Sequence, residues 1–207
     1  MRHVGEYHSE AVAAEDGFTG RLLIIIGPPA AGKLTIAKAL AKAHGYFLFD
    51  NHRSIDAVET IVAGQEIKPK DLCHAIRKCV FEAATASNTP LVFTMVYGHP
   101  LDDEVMREYT QMLTTDVPPL IVQLHCTRED SRTRCQDSSR SGTSKIREPD
   151  RIDGLYAKFD MESDYQSPTQ EVLHVNTSAL SVEEVLQTIL KRIQPDAAGY
   201  GSQARRT

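Results

Sequence analysis

The chain has 207 residues, enough for one domain with insertions and enough to bury a core without staples. Apolar residues make up 41% and charged residues 25%, ordinary for a globular protein, which excludes a wholly disordered, collagen-like or coiled-coil chain. The 23 Lys and Arg against 28 Asp and Glu leave a formal charge of −5, which counts against nucleic acid and anionic membrane surfaces as partners.

Residues 1–20 carry no sustained apolar period and read as a flexible tail, as do 195–207, which open on Pro195 and stay polar. Between them, residues 21–194 alternate strand-length apolar runs with helix-length amphipathic segments, which predicts an α/β domain with a parallel sheet covered by helices on both faces. In chain order the pattern predicts a strand at 21–26, a helix at 33–44, a strand at 46–49 and helices at 54–63 and 69–87. A strand at 91–96, a helix at 102–114, a strand at 120–125, a helix at 128–138, a strand at 171–175 and a helix at 181–194 complete it. Four of the strands are almost continuously apolar, as strands buried on both faces are. Thr127 ahead of Arg128-Glu129-Asp130 reads as a helix cap, and Ser181 with Glu184 as a capping box. The stretch 136–151 is polar and rich in Ser, Arg and Lys, which predicts an exposed, movable segment.

Cys73, Cys79, Cys126 and Cys135 show no two-residue spacing of a zinc or redox motif and read as reduced, mostly buried thiols. No apolar run approaches the ~20 residues that span a bilayer, and no basic segment precedes an apolar core at the N-terminus. A cytoplasmic protein without membrane contact is the expectation.

The sharpest chemical signal is Gly27-Pro28-Pro29-Ala30-Ala31-Gly32-Lys33, which fits G-x-x-x-x-G-K. It follows the first strand and opens the first helix with Leu34-Thr35, the context in which such a loop binds phosphate. The glycines let successive backbone N–H groups converge on a phosphate, the helix N-terminus adds partial positive charge, and Lys33 neutralises the outer phosphates. Leu34 stands where a Ser or Thr would offer a hydroxyl to Mg²⁺. Thr35 can reach an inner phosphate, and Mg²⁺ keeps several waters in most sites.

On these residues the chain resembles the P-loop kinases of the nucleoside-monophosphate-kinase and shikimate-kinase type. Adenylate kinases share the Lys33-Leu34-Thr35 pattern, with no hydroxyl directly after the lysine. The stretch GPPAAGKLTIAKALAKAHGYFLFDNHRSID is more similar still to small bacterial AAA-family-ATPase-like, shikimate-kinase-like proteins with GPPAxGK(M/L)T followed by G-(Y/F)-x-(L/F)-F-x-NH. The resemblance runs from about Leu22 to Ile193 and implies a five-stranded sheet ordered 2-3-1-4-5, ATP with Mg²⁺, and a small-molecule acceptor. It also implies a helical acceptor subdomain over about 54–88 and a lid over about 136–151.

Ligands in such sheets sit beyond the carboxyl ends of the strands, so residues just after each strand are the site candidates. Asp50 and His52 lie seventeen and nineteen positions after Lys33. In shikimate kinases two aspartates occupy places at this spacing, and only the first is an acid here. Asp50 could take the acceptor proton or orient metal-bound water, and His52 could take the proton. The related bacterial proteins often carry a histidine in place of Asp50, and Asp50-Asn51 read otherwise as the cap of the next helix. Arg77 could contact the acceptor, although a solvated helix face explains Arg77 and Lys78 equally well. Tyr97 reaches the same cleft by position.

Arg128, Arg132, Arg134, Arg140, Lys145, Arg147 and Arg151 make a basic concentration in an acidic protein. By spacing, Arg140 matches the lid arginine of the resembled kinases and Arg134 the one that stacks on adenine. A guanidinium that arrives on closure stabilises charge in phosphoryl transfer. Asn176-Thr177-Ser178 resembles the turn beside the adenine.

The reading is therefore an ATP-dependent transfer of the γ-phosphoryl group to a hydroxyl or phosphate of a small molecule. Gly27 to Thr35, Arg134 and Asn176 hold the nucleotide; Lys33, Asp50, His52 and Arg140 do the chemistry; Asp50, Arg77 and Tyr97 meet the acceptor. Two alternatives stand beside it: a nucleotide-binding or NTP-hydrolysing regulatory module without an acceptor, and a polynucleotide 5′-hydroxyl kinase, against which the net charge counts. The acceptor and the oligomeric state are open at this point.

Overall fold

The computed structural model describes residues 22–62, 69–111, 118–140 and 145–193. The two predicted tails and residues 141–144 of the predicted lid lie outside the described residues. The elements follow in the order β1 (Leu22–Ile26), α1 (Lys33–His44), β2 (Phe47–Asp50), α2 (Asn51–Val62), α3 (Pro69–Ala86), β3 (Leu91–Thr94) and α4 (Asp103–Gln111). They continue as β4 (Leu120–His125), α5 (Arg128–Cys135), a single 3-10 turn (Ser138–Arg140), α6 (Pro149–Lys158), β5 (Val172–Asn176) and α7 (Val182–Ile193).

The five strands form one parallel sheet in the order β2-β3-β1-β4-β5, as the resemblance implies. β1, β3 and most of β4 are buried on both faces because each has two strand neighbours and helices above and below. β2 and β5 are the sheet edges and are only partly covered, so apolar Phe47 is 48% exposed. One core layer packs Leu23, Ile25, Val122 and Leu124 of the sheet against Ile36 and Leu40 of α1 and Ile189 of α7. The opposite layer packs Ile24, Ile26, Phe93 and Ile121 against Phe81 of α3 and Met106 and Tyr109 of α4. Phe81, Phe93 and Tyr109 meet edge to face at centroid distances of 5.0–6.2 Å, so truncating Phe81 to Ala would cost about 3–5 kcal/mol.

The structure corrects several boundaries. α2 begins at Asn51 rather than 54, because Asp50 Oδ1 accepts from the His52 N–H at 3.0 Å and caps the helix directly off the strand. The strand expected over 91–96 ends at Thr94. The helix expected over 128–138 stops at Cys135, with a 3-10 turn after it. α6 occupies Pro149–Lys158, where the sequence reading ended a movable segment at 151 and placed no helix. Pro149 in the first turn, with Asp150 beside it, is the start signal that was available. The Thr127 cap and the reciprocal Ser181–Glu184 capping box are formed as expected. Cys73, Cys126 and Cys135 are buried thiols and Cys79 is exposed. No helix among the described residues is long and apolar enough to cross a membrane.

Candidate active site

β1 lies where the chain first steps to one side of the sheet and later to the other, the crevice where ligands enter such sheets. The loop after it is shaped by contacts that a side chain would break. Gly27 sits at φ 139° with its Cα so close to β4 that a Cβ would lie 2.1 Å from the Leu124 carbonyl oxygen. Gly32, at φ 90°, caps α1, and Ala30 also takes a left-handed turn at φ 60°. Ser131 of α5 donates its hydroxyl to the Pro29 carbonyl and braces the outside of the loop. Pro28 and Pro29 have no N–H to offer. Ala31 N donates to Pro28 O at 3.4 Å, so the donors available to an anion are the amides of Ala30, Gly32, Lys33, Leu34 and Thr35, the last three of which open α1 and have no partner within the helix.

A hollow of ≈ 440 Å³ lies over this loop. Pro29, Ala30, Ala31, Gly32, Lys33, Leu34 and Thr35 line it, whereas Gly27 and Pro28 lie behind it and serve as acceptors for the lysine. Lys33 Nζ donates to Gly27 O at 2.9 Å and to Pro28 O at 2.5 Å. Burial pulls its ammonium down to about 7; Cys126 nearby works against the shift, and the positive charges of Arg140 and Lys145 add to it.

The other walls come from the ends of β2, β3 and β5 and from the segment after α5. Asp50, Asn51, His52 and Thr94 stand on one side. Arg134, Asp137, Arg140, Lys145 and Ile146 stand on another, and Thr177, Leu180, Val182 and Val185 close a largely apolar end. The lining thus carries four basic side chains, Lys33, Arg134, Arg140 and Lys145, against two carboxylates, Asp50 and Asp137, in a chain whose net charge is −5. Burial lowers the pKa of Arg140 and of Lys145; Arg140 also lowers that of Lys145, while Asp137 works against the shift at Arg140 and Asp50 against that at Lys145. Arg134 donates to Thr177 Oγ1 at 3.0 Å and to Thr177 O at 2.8 Å, fixing its guanidinium beside the turn after β5. Thr177 Oγ1 lies 3.2 Å from Ala31 O and 3.0 Å from His125 O, so this residue ties the phosphate loop to both strands.

Two expectations are corrected here. Tyr97 is fully buried, donates to Asp103 at 2.6 Å and packs edge to face on Tyr165, because α4 and the segment after α6 cover it; it is a core residue and not on the cleft wall. Asn176 is exposed and accepts from the Ser178 N–H at 2.9 Å, which shapes the turn, while Thr177 faces the hollow instead. Arg132, one turn from Arg128, pairs with Asp153 of α6 and leaves the wall to Arg134.

A second hollow of ≈ 310 Å³ opens between α2 and α3 and shares Asn51, Met95 and Val96 with the first. Arg77 lines it and is 6% exposed, its guanidinium donating to Ser54 Oγ at 2.9 Å and lying 5.8 Å over the Phe93 ring. Asp102, whose carboxyl burial pushes upward, and His74, whose imidazole burial pushes downward, stand beside it. Two side-chain atoms here, Asn51 Oδ1 and His74 Nε2, are buried without a hydrogen-bond partner. Sequence reasoning singled out neither residue for this wall. Asn51 had a signal, its place between Asp50 and His52; His74 had none beyond lying near Arg77 on α3.

The sheet order and the strand–loop–helix at its centre define a P-loop α/β fold of the small-molecule-kinase kind. No family model matches the sequence, and no curated protein does. Among solved structures, the chain is similar to a sugar kinase from a Janibacter species (TM-score 0.57, 16% identity, 84% of this chain and 96% of that one). It is similar to a gluconokinase from Sinorhizobium meliloti (TM-score 0.55, 16% identity, 85% and 92%) and to the shikimate kinase of Acinetobacter baumannii bound to shikimate (TM-score 0.51, 17% identity, 84% and 92%). At these identities the likeness is one of fold.

Proposed function

We propose that this protein is an ATP-dependent phosphotransferase that moves the γ-phosphoryl group to a hydroxyl or phosphate of a small polar molecule held between α2 and α3. The observation that carries the reading is the shared wall: a cationic hollow over a phosphate-type loop abuts a second hollow lined by Arg77, Asp102 and unpartnered Asn51 Oδ1 and His74 Nε2. Asp50 and His52 stand where the first hollow meets Asn51. The fold shared with sugar, glucono- and shikimate kinases supports the same reading.

In this reading the amides of Ala30 and of Gly32 to Thr35 cradle the phosphates and Lys33 exchanges its loop carbonyls for phosphate oxygens. The apolar end at Leu180, Val182 and Val185 takes the base, with Arg134 beside it. The residues fit Mg²⁺ only through water: Leu34 has no donor, while the Thr35 hydroxyl and the Asp50 carboxylate line the hollow and could hold the ion's waters. When bound, the ion neutralises charge on the transferred group. Arg140 and Lys145 supply fixed positive charge where the equatorial oxygens develop theirs. Burial keeps His52 below the ordinary imidazole value, so at neutral pH it is the neutral base that takes the acceptor proton, while Asp50 accepts from the His52 backbone N–H and fixes where the residue leaves the strand. The apolar walls at Met95 and Val96 exclude water from the transfer path.

The test is incubation of the protein with Mg-ATP and a mixture of polyols, sugar acids and their phosphates, read by mass spectrometry. One component should gain a single phosphate, and the gain should vanish in Lys33→Met. ATP turnover at equal rate with and without every component would overturn the reading in favour of an acceptor-independent NTPase.

A further inference from the structure

On the sheet face opposite α1 and α7, three side chains from distant parts of the chain converge at the β4–β5 edge. His125 ends β4, His174 lies on β5, and Asp164 comes from the segment between α6 and β5. His125 Nε2 lies 3.2 Å from His174 Nδ1 and 3.4 Å from Asp164 Oδ1, and His174 Nδ1 lies 3.5 Å from the same oxygen. We propose that His125, Asp164 and His174 bind a divalent transition-metal ion of the zinc class, which closes the segment after α6 onto the edge of the sheet.

Bonds of about 2.0–2.1 Å from zinc to nitrogen and about 2.0–2.2 Å to oxygen, set at tetrahedral angles, place neighbouring donor atoms about 3.3–3.5 Å apart. Two of the three separations, 3.4 and 3.5 Å, fall within this range and the third, 3.2 Å, lies just below it. An ionised carboxylate has no proton and each ring nitrogen carries at most one, so at most two of the three edges can be hydrogen bonds. A cation at the centre satisfies all three lone pairs at once.

Asp164 is also held where it is needed. Gln123 of β4, fully buried, donates Nε2 to Ser163 O at 2.9 Å and accepts from Tyr165 N at 2.7 Å, clamping the backbone on both sides of Asp164. Asp160 in turn accepts from the Glu162 and Ser163 N–H groups, ordering the approach to this segment. Preorganised ligands lower the ordering cost of binding.

The donor set selects the ion. Two imidazoles and one carboxylate suit zinc, cobalt, nickel or copper, whereas magnesium and calcium prefer oxygen alone. The site is thus chemically separate from any magnesium that accompanies a nucleotide, and none of its three residues lines either hollow of the candidate active site. The side chains are 24%, 55% and 34% exposed for His125, Asp164 and His174, so the fourth corner faces solvent and takes water or an external donor.

The test is a titration of the chelator-stripped full chain with Co²⁺ alone, followed by Zn²⁺ competition and thermal melts. One Co²⁺ per chain should bind with the intense visible bands of tetrahedral cobalt, Zn²⁺ should displace it, and millimolar Mg²⁺ should not. At about a hundredfold excess over Kd, Zn²⁺ should raise Tm by about 5 °C or more. His174→Ala and Asp164→Asn should each weaken binding by more than the about 10–100-fold that loss of an outer-shell partner costs, and Cys79→Ser should leave it unchanged. His174 is on a partly exposed edge strand and Asn is isosteric with Asp, so far-UV circular dichroism of both variants should match the parent. Absence of binding by the parent chain, or equal binding by folded His174→Ala and Asp164→Asn, would overturn the proposal.

Discussion

Lys33 gives the most demanding test, because its ammonium must be present when a polyphosphate arrives. With the amine held at about 7 by burial, protonation on binding draws a proton from solvent, so affinity falls as pH rises. The amine is charged in about a quarter of molecules near pH 7.5 and in about one in a hundred near pH 9. Binding through the ammonium form alone therefore weakens ATP affinity about 25-fold across that interval, or about 2 kcal/mol. A terminal phosphate with a second pKa of about 6 is already ionised throughout, so the slope belongs to the protein. Isothermal titration in buffers of different ionisation heat should show uptake approaching one proton per ATP near the upper end of the interval. Lys33→Met should bind weakly and without pH slope, and Lys145→Gln should keep most of the slope. A parent affinity that stays flat from pH 7.5 to 9, with no proton uptake, would refute the assignment of a buried, neutralised lysine.

Other outcomes follow from single contacts. Gly27→Ala places a methyl 2.1 Å from the Leu124 carbonyl at a φ of 139°, so urea unfolding should show a loss of about 3 kcal/mol or more and ATP binding should vanish. Arg134→Gln removes two bonds to Thr177 and one cation from the hollow; ATP KM should rise about tenfold or more while the acceptor KM stays constant. Arg77→Met should do the reverse, raising the acceptor KM, and should also cost about 1–3 kcal/mol of stability by leaving the buried Ser54 oxygen without its donor. Gln123→Leu should cost a similar amount, about 1–3 kcal/mol by chemical denaturation, because Ser163 O and Tyr165 N lose their buried partner.

Much of this molecule was readable along the chain because the determining interactions are local. An apolar run, two spaced glycines, a lysine and an amphipathic stretch specify β1, the loop and α1 within a few residues, and Thr127, Ser181 and Glu184 announce helix starts by bonds reaching three residues. α6 escaped because its only buried side chain is Ile152, leaving no apolar stripe to see, and its proline was a weaker cue than its polar surroundings. Tyr97 escaped for the opposite reason: its place after β3 suggested the cleft, but α4 and Tyr165 bury it, and neither neighbour is visible from the strand itself.

What the tertiary structure alone decided is which side chains share a wall. Asn51 at the start of α2 and His74 and Arg77 on α3 meet over β3 only because α2 and α3 pack together beside the sheet edge. His125 and His174 are forty-nine positions apart and become neighbours through the β4–β5 register, with Asp164 delivered between them by a glutamine clamp. Periodicity and capping report on the nearest few residues, whereas strand order and the folding of connections over a sheet bring together groups whose separation along the chain carries no trace of their distance in space.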